Sequence, residues 1–181
     1  MNGALAIDTF RHAPAEARDV DAFFKSHTFP IVEGPRVTFV YRGAADGVHL
    51  KSWVYGLPNS QPLQRVHGTD VWYLTLEIPR GSRIEYKFEV VQGGQGRWME
   101  DPLNPFRATD PFGANSVAHG EGYDVPDWTL PDDEAIPGKL LEWTIQSKVF
   151  GNTERSLSVY LANLPPGITT PTAATKPTAN H

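Results

Sequence analysis

From Asp70 to Val90 apolar and polar positions alternate. Trp72, Leu74, Leu76 and Ile78 share one face of an extended segment, and Val71, Tyr73, Thr75 and Glu77 share the other. After Pro79-Arg80-Gly81-Ser82 the alternation resumes: Ile84, Tyr86, Phe88 and Val90 face one way, and Glu85, Lys87 and Glu89 the other. Successive side chains on a strand point to opposite faces, so this spacing predicts a half-buried antiparallel hairpin. Pro presets φ and Gly reaches conformations other residues resist, which suits a short connection.

The same period marks further strands on either side. Val37, Phe39 and Tyr41 align over Arg36–Arg42; Val48 and Leu50 oppose His49, Lys51 and Trp53 over Val48–Tyr55; a short strand follows at Leu63–Val66. Gly93-Gly94-Gln95-Gly96 is a tight turn into a return strand, Arg97–Glu100. The stretch from Asp101 to Val117 holds three prolines, which predicts irregular chain until about Ala114, with Ala114–Ala118 closing the fold. Short strands at regular spacing with turn signals between them indicate an all-β sandwich over residues 31–124. Ahead of it, residues 1–30 carry one helical pattern at Pro14–Thr28, with Ala15, Ala17, Val20, Phe23 and Phe24 as its apolar stripe, expected to pack on the sandwich edge. Residues 125–138 read as a Pro- and Asp-rich linker. Over 139–164 alternation returns, with Leu141, Trp143 and Ile145 facing Leu157, Val159 and Leu161 across a turn at Phe150–Thr153. This second hairpin lacks a sheet to join and is expected to be unstable or to self-associate. Residues 165–181, rich in Pro, Thr and Ala, are expected to be disordered.

Composition then removes several function classes. With 0 cysteines there is no disulfide, thiolate metal site or cysteine nucleophile. A net charge of -5 without a basic run argues against nucleic acid or an anionic membrane as partner. The N-terminal residues have no basic lead-in, and no apolar run is long enough to span a bilayer, so a soluble, cytoplasmic protein is expected. No pair of histidines has metal-ligand spacing, and no cofactor is expected. A serine hydrolase presents its nucleophile in Gly-x-Ser-x-Gly; the nearest approach, Gly113-Ala-Asn-Ser116, lacks the second glycine. The chain is therefore expected to hydrolyse no ester. Asp101 and Asp110 suit turn capping. Trp53 and Trp98 fall near strand ends beside polar neighbours, where an indole can stack on a ligand ring or pack under a loop. Asp101-Pro102 and Asn104-Pro105 restrict the backbone, so the loop from Trp98 to Arg107 is expected to be rigid and to present Trp98, Asn104 and Arg107 at low entropic cost.

Val37-Thr-Phe-Val-Tyr-Arg-Gly43, Gly68-Thr-Asp-Val-Trp-Tyr-Leu-Thr-Leu-Glu-Ile-Pro79, Ile84-Glu-Tyr-Lys-Phe88, Asp101-Pro-Leu-Asn-Pro105 and Pro111-Phe-Gly-Ala-Asn-Ser-Val117 occur in one order. In that order they resemble the N-terminal domain of enterochelin-esterase-like hydrolases, over about residues 14–130. The resemblance implies an early-set immunoglobulin-like sandwich that contacts substrate without cleaving it. It also implies an α/β-hydrolase catalytic domain as partner, whose opening strands look like Gly138–Val149 and Arg155–Leu161 here. The Pro/Thr stretch stands where the rest of that domain is expected, which implies a chain without the catalytic half. The implied substrate is a siderophore ester such as a ferric catecholate, and the implied role is iron acquisition. The domain is more distantly similar to glycogen-binding modules, in which the positions matching Lys87 and Trp98 contact sugar. That likeness keeps a carbohydrate-binding module as the alternative. Trp98, Asn104, Arg107 and Lys87 are the candidate substrate-binding residues.

Overall fold

The computed structural model describes residues 4–162, apart from Ala15, Ala17, Arg18, Tyr55, Pro131, Asp132 and Ala135. The chain divides into two compact units, Met1–Val125 and Pro126–His181. Among its described residues the first unit holds two α-helices, α1 (Ala6–His12) and α2 (Val20–Ser26), and ten strands: β1 (Ile31–Glu33), β2 (Arg36–Arg42), β3 (Gly47–Ser52), β4 (Ser60–Pro62), β5 (Gln64–Arg65), β6 (Val71–Glu77), β7 (Arg83–Gln92), β8 (Gln95–Met99), β9 (Arg107–Asp110) and β10 (Gly113–His119). The first sheet runs β1-β2-β6-β5; the second runs β4-β3-β7-β10-β9, with β8 also on β7. Their pairings are antiparallel. This is the immunoglobulin-like, early-set β-sandwich.

The core between the sheets is built by the alternating residues. Val37 and Phe39 from β2 and Trp72 from β6 meet Val48 and Leu50 from β3, and Ile84, Tyr86, Phe88 and Val90 from β7. The expected β6–β7 hairpin does not form: β6 lies in the first sheet and β7 in the second. The link between them is an arch. Ile78 N–H donates to Pro35 O at 2.8 Å and Gly81 N–H to Glu121 O at 2.8 Å, so its backbone bonds go to other elements. Alternation tells which face of each strand is apolar. It does not tell whether the two faces belong to one sheet or to two facing sheets.

The outer face of the first sheet is also dry. Val40, Val71 and Tyr73 join Leu5, Ile7, Phe10, Phe23 and Phe29 in a second buried cluster. Phe10 and Phe23 stack with centroids 4.5 Å apart. The N-terminal segment therefore covers a sheet face and not an edge. The helix expected over Pro14–Thr28 is shorter, because Asp19 caps it by accepting from Ala22 N–H at 2.8 Å. Helix α1 lies outside that expectation. Its seven residues lack a side-chain cap, and its buried pair Ile7 and Phe10 ties it to the sheet.

A second correction concerns the proline-rich stretch, which does contain a strand. β9 pairs with β10 through Gly113↔Asp110, and Pro111 falls in the turn, where its missing N–H costs no ladder bond. Asp110 Oδ1 accepts from Phe112 N–H at 2.7 Å and caps that turn.

In the second unit β11 (Lys139–Ser147) pairs with β12 (Thr153–Leu161). Leu141 faces Val159 and Trp143 faces Leu157. Trp143, Ile145, Leu157 and Leu161 remain exposed, and among the described residues no third strand joins this pair. The stretch 165–181 lies outside the described residues. No helix among the described residues is long and apolar enough to cross a membrane.

Candidate functional site

The outer face of the second sheet is assembled from the polar half of the alternation. His49 and Lys51 project from β3, and Glu85, Lys87 and Glu89 from β7. The register sets His49 opposite Glu89, Lys51 opposite Lys87 and, on the far side of β7, Glu89 opposite Trp98 of β8. Trp53 follows the end of β3. Its ring lies 6.0 Å from that of Trp98 at an interplanar angle of 56°. The two indoles are 60% and 50% exposed, which is far more than packing alone requires of the largest side chain.

Glu89 organises this platform. Its Oε2 lies 2.8 Å from Lys51 Nζ, and its Oε1 accepts from Trp98 Nε1 at 3.1 Å. The Lys51 hydrogen bond first, and that of Trp98 second, hold the Glu89 carboxyl below its usual range. Lys51 Nζ also sits 5.5 Å from the centre of the Trp98 ring, in cation–π range. Gly96 makes room for the carboxylate: a Cβ there would meet Glu89 Oε1 at 2.8 Å. Lys87 is half-buried, faces Lys51 across the strands and has no ion pair among the described residues. Like charges directly opposite repel, and of the two lysines it is Lys51 that the Glu89 carboxylate neutralises.

Lys87 also marks a fork. β10 pairs with β7 from Arg83 to Tyr86, and β8 pairs with it from Phe88 to Gln92. The Asp101–Phe106 loop leaves between them and is locked by buried polar groups. Tyr86 Oη donates to Asp101 Oδ2 at 2.6 Å. Asn104 Nδ2 donates to Tyr86 Oη at 3.0 Å and to Val117 O at 2.7 Å. Asp101 N–H donates to Ser116 Oγ at 2.8 Å, and Leu103 N–H to Asp101 Oδ1 at 2.8 Å. Burial pushes the Asp101 carboxyl above its usual range. Burial first, and then the charge of Asp101, pushes the Tyr86 hydroxyl up as well.

The four expected contact residues thus separate. Trp98 and Lys87 stand on the platform. Asn104 does not: it is 2% exposed, and its amide is spent on Tyr86, Val117 and Phe106 N–H. Arg107 turns its guanidinium back onto the loop, to the carbonyls of Asp101, Asn104 and Phe106 and to the Glu100 carboxylate. It clamps the loop. Ser116 is fully buried and accepts a backbone hydrogen bond, an environment that offers no nucleophile. Among the described residues no three His, Asp or Glu side chains cluster as a metal site. Trp53, Lys51 and Glu89 complete the platform. Their signal in the sequence was the outward half of the β3 and β7 alternation.

The enterochelin esterase N-terminal family matches residues 36–128, about half of the chain. No curated protein matches. Three solved structures are similar in fold. The enterobactin esterase from Shigella flexneri in the presence of enterobactin is 21% identical, with 75% of this chain and 44% of that one covered and a TM-score of 0.57. The enterochelin esterase from Shigella flexneri is 22% identical, with coverages of 80% and 46% and a TM-score of 0.55. The ferric enterobactin esterase from Salmonella typhimurium is 20% identical, with coverages of 68% and 40% and a TM-score of 0.52. The chain spans less than half the length of these relatives. By its own sequence over residues 36–128, the chain belongs to the enterochelin esterase N-terminal family.

Proposed function

We propose that this chain is the non-catalytic, substrate-contacting and domain-contacting N-terminal module of a cytoplasmic enterochelin-esterase-like ester hydrolase. One observation carries the reading: the exposed Trp53–Trp98 pair has the Lys51 ammonium 5.5 Å from the Trp98 ring, with Lys87 opposite Lys51 across the strands. Flat indole faces take an aryl ring, and the ammonium groups of Lys51 and Lys87 favour an anionic one, as in a ferric catecholate siderophore. The siderophore reading is supported by the relatives, one of which was solved in the presence of enterobactin. In this reading ester cleavage belongs to an α/β-hydrolase domain. Lys139–Leu161 contributes that domain's opening strands, joined to the sandwich by residues 125–138. Binding on the platform then acts on affinity more than on the chemical step.

The test uses the full chain. A ferric catecholate should quench tryptophan fluorescence saturably, and Trp98→Ala should weaken binding about tenfold, or about 1.4 kcal/mol. Turnover of p-nitrophenyl acetate should not exceed buffer; turnover abolished by Ser116→Ala would overturn the non-catalytic assignment. A second reading, a carbohydrate-binding module, is favoured by the tilt of the two indoles. Two rings inclined by 56° present a curved apolar surface to successive sugar rings, with Lys87 and Glu89 in reach of hydroxyls. Glycogen pull-down that is lost in Trp98→Ala, without response to the catecholate, would select it.

A further inference from the structure

Next to the platform lies a cleft of about 590 Å³, set where the β3–β4 loop meets the β6–β7 arch. Ile78, Ile84, Val54 and Leu57 supply its apolar lining, Trp53 forms part of its wall, and Glu85 is among its polar groups. The volume falls within the range of small-molecule sites and has room for a ring with its substituents. Ile78 and Ile84 are buried in the sandwich core, so this apolar lining is fixed in place.

Its polar chemistry differs from that of the platform. Glu85 Oε1 accepts from Arg83 Nη1 at 2.8 Å, and its Oε2 accepts from Asn115 Nδ2 at 3.0 Å. Those two hydrogen bonds, Asn115 first, hold the Glu85 carboxyl below its usual range, so it stays an acceptor. Glu77 lines the same cleft. Arg83, the cation there, is already paired with Glu85. An ionised carboxylate accepts hydrogen bonds and donates none. The cleft therefore rewards ligand hydroxyls and repels ligand anions.

We propose that this cleft is a second binding site, separate in selectivity from the platform, for a neutral aromatic ring bearing hydroxyl donors. The ring lies against the Trp53 indole, and its hydroxyl edge meets Glu85. The apolar residues flanking the cleft favour an aryl ring over a sugar, whose hydroxyls project all round its edge. The assignment stands on the cleft alone and survives if the platform takes no siderophore.

The experiment is an NMR titration of the full chain with catechol, benzoate and methyl α-glucoside. Catechol should move the Ile78 and Ile84 methyl signals and the Trp53 indole signal saturably. Benzoate should bind the same residues at least about tenfold more weakly, as should catechol to Glu85→Gln, the loss expected for one charge-assisted hydrogen bond. Glu77→Gln serves as the second variant and should bring benzoate closer to catechol. Catechol shifts confined to Trp98 and Lys51 would place it on the platform and overturn the cleft assignment. So would equal binding of benzoate, or preferential binding of the glucoside at Ile84.

Discussion

Val40, Val71 and Tyr73, on the outer face of the first sheet, are buried under Ile7, Phe10 and Phe23, whereas Lys51, Lys87, Glu89 and Trp98 keep the outer face of the second sheet in reach of water. The same two-residue alternation produced both faces. The difference lies in what fills the outward positions. Apolar side chains there demand a third layer and recruit the N-terminal helices. Charged side chains need no cover, and two indoles stay exposed among them. The covered face should govern stability and the open face should govern recognition.

The strongest way to break this comparison is at the covered face. Phe23→Ala removes the ring that stacks on Phe10 and should destabilise the sandwich by about 3–5 kcal/mol in urea unfolding, with a cavity left under α2. A loss no larger than that of Trp98→Ala would show that the helical layer is an ornament.

The locked loop comes next. Tyr86→Phe leaves the buried Asp101 Oδ2 without its donor and should cost about 1–3 kcal/mol. Asp101 also makes stability depend on pH. Burial raises its pKa in the folded state, so folding favours the protonated carboxyl. The associated stability is fully present below the ordinary aspartate range and is lost as pH rises through the raised folded value. Unfolding curves taken across acidic to neutral pH should show that fall, and Asp101→Asn should flatten it.

At the open face the expected effects on stability are small. Trp98→Ala should leave stability within about 0.5 kcal/mol of the parent while it weakens binding of the ferric catecholate about tenfold. Lys87→Ala should be smaller still and opposite in sign. It relieves the Lys51–Lys87 repulsion and should stabilise by about 0.2 kcal/mol or slightly more, a gain that vanishes at high salt. A destabilised Lys87→Ala would mean that the half-buried lysine packs, and does not wait for an anion.

Much of this was legible in the chain. The alternation of Val37, Phe39, Val48, Leu50, Tyr86 and Phe88 located the core, and five ordered motifs located the family. The β6–β7 arch was not legible, since Trp72 and Tyr86 point into the same core whether their strands pair or face each other. Helix α1 was missed because tertiary contacts of Ile7 and Phe10 hold it, not a cap or a long apolar stripe. The outward placement of Trp98 and Lys87 could be read from strand position. Asn104 and Arg107 could not, because proline-fixed backbone says that a loop is rigid and leaves open which way its side chains turn. The buried partners, Tyr86 and Val117, decide that.

The fork in β7 has a consequence for the order of folding. β8 follows β7 through a tight turn in which Gly93 and Gly94 both take positive φ, whereas β3 and β10 reach β7 from distant parts of the chain. Hairpins close in about 1–10 μs, and long-range pairing must first overcome a larger loop entropy. The β7–β8 hairpin should therefore be an early structure, and with it comes the Trp98–Glu89 contact. Gly94→Ala, strained in that turn, should then slow refolding in stopped-flow mixing and leave the unfolding rate nearly unchanged; the reverse pattern would deny the hairpin this role. Half of the proposed platform would thus be assembled before there is a sandwich to carry it.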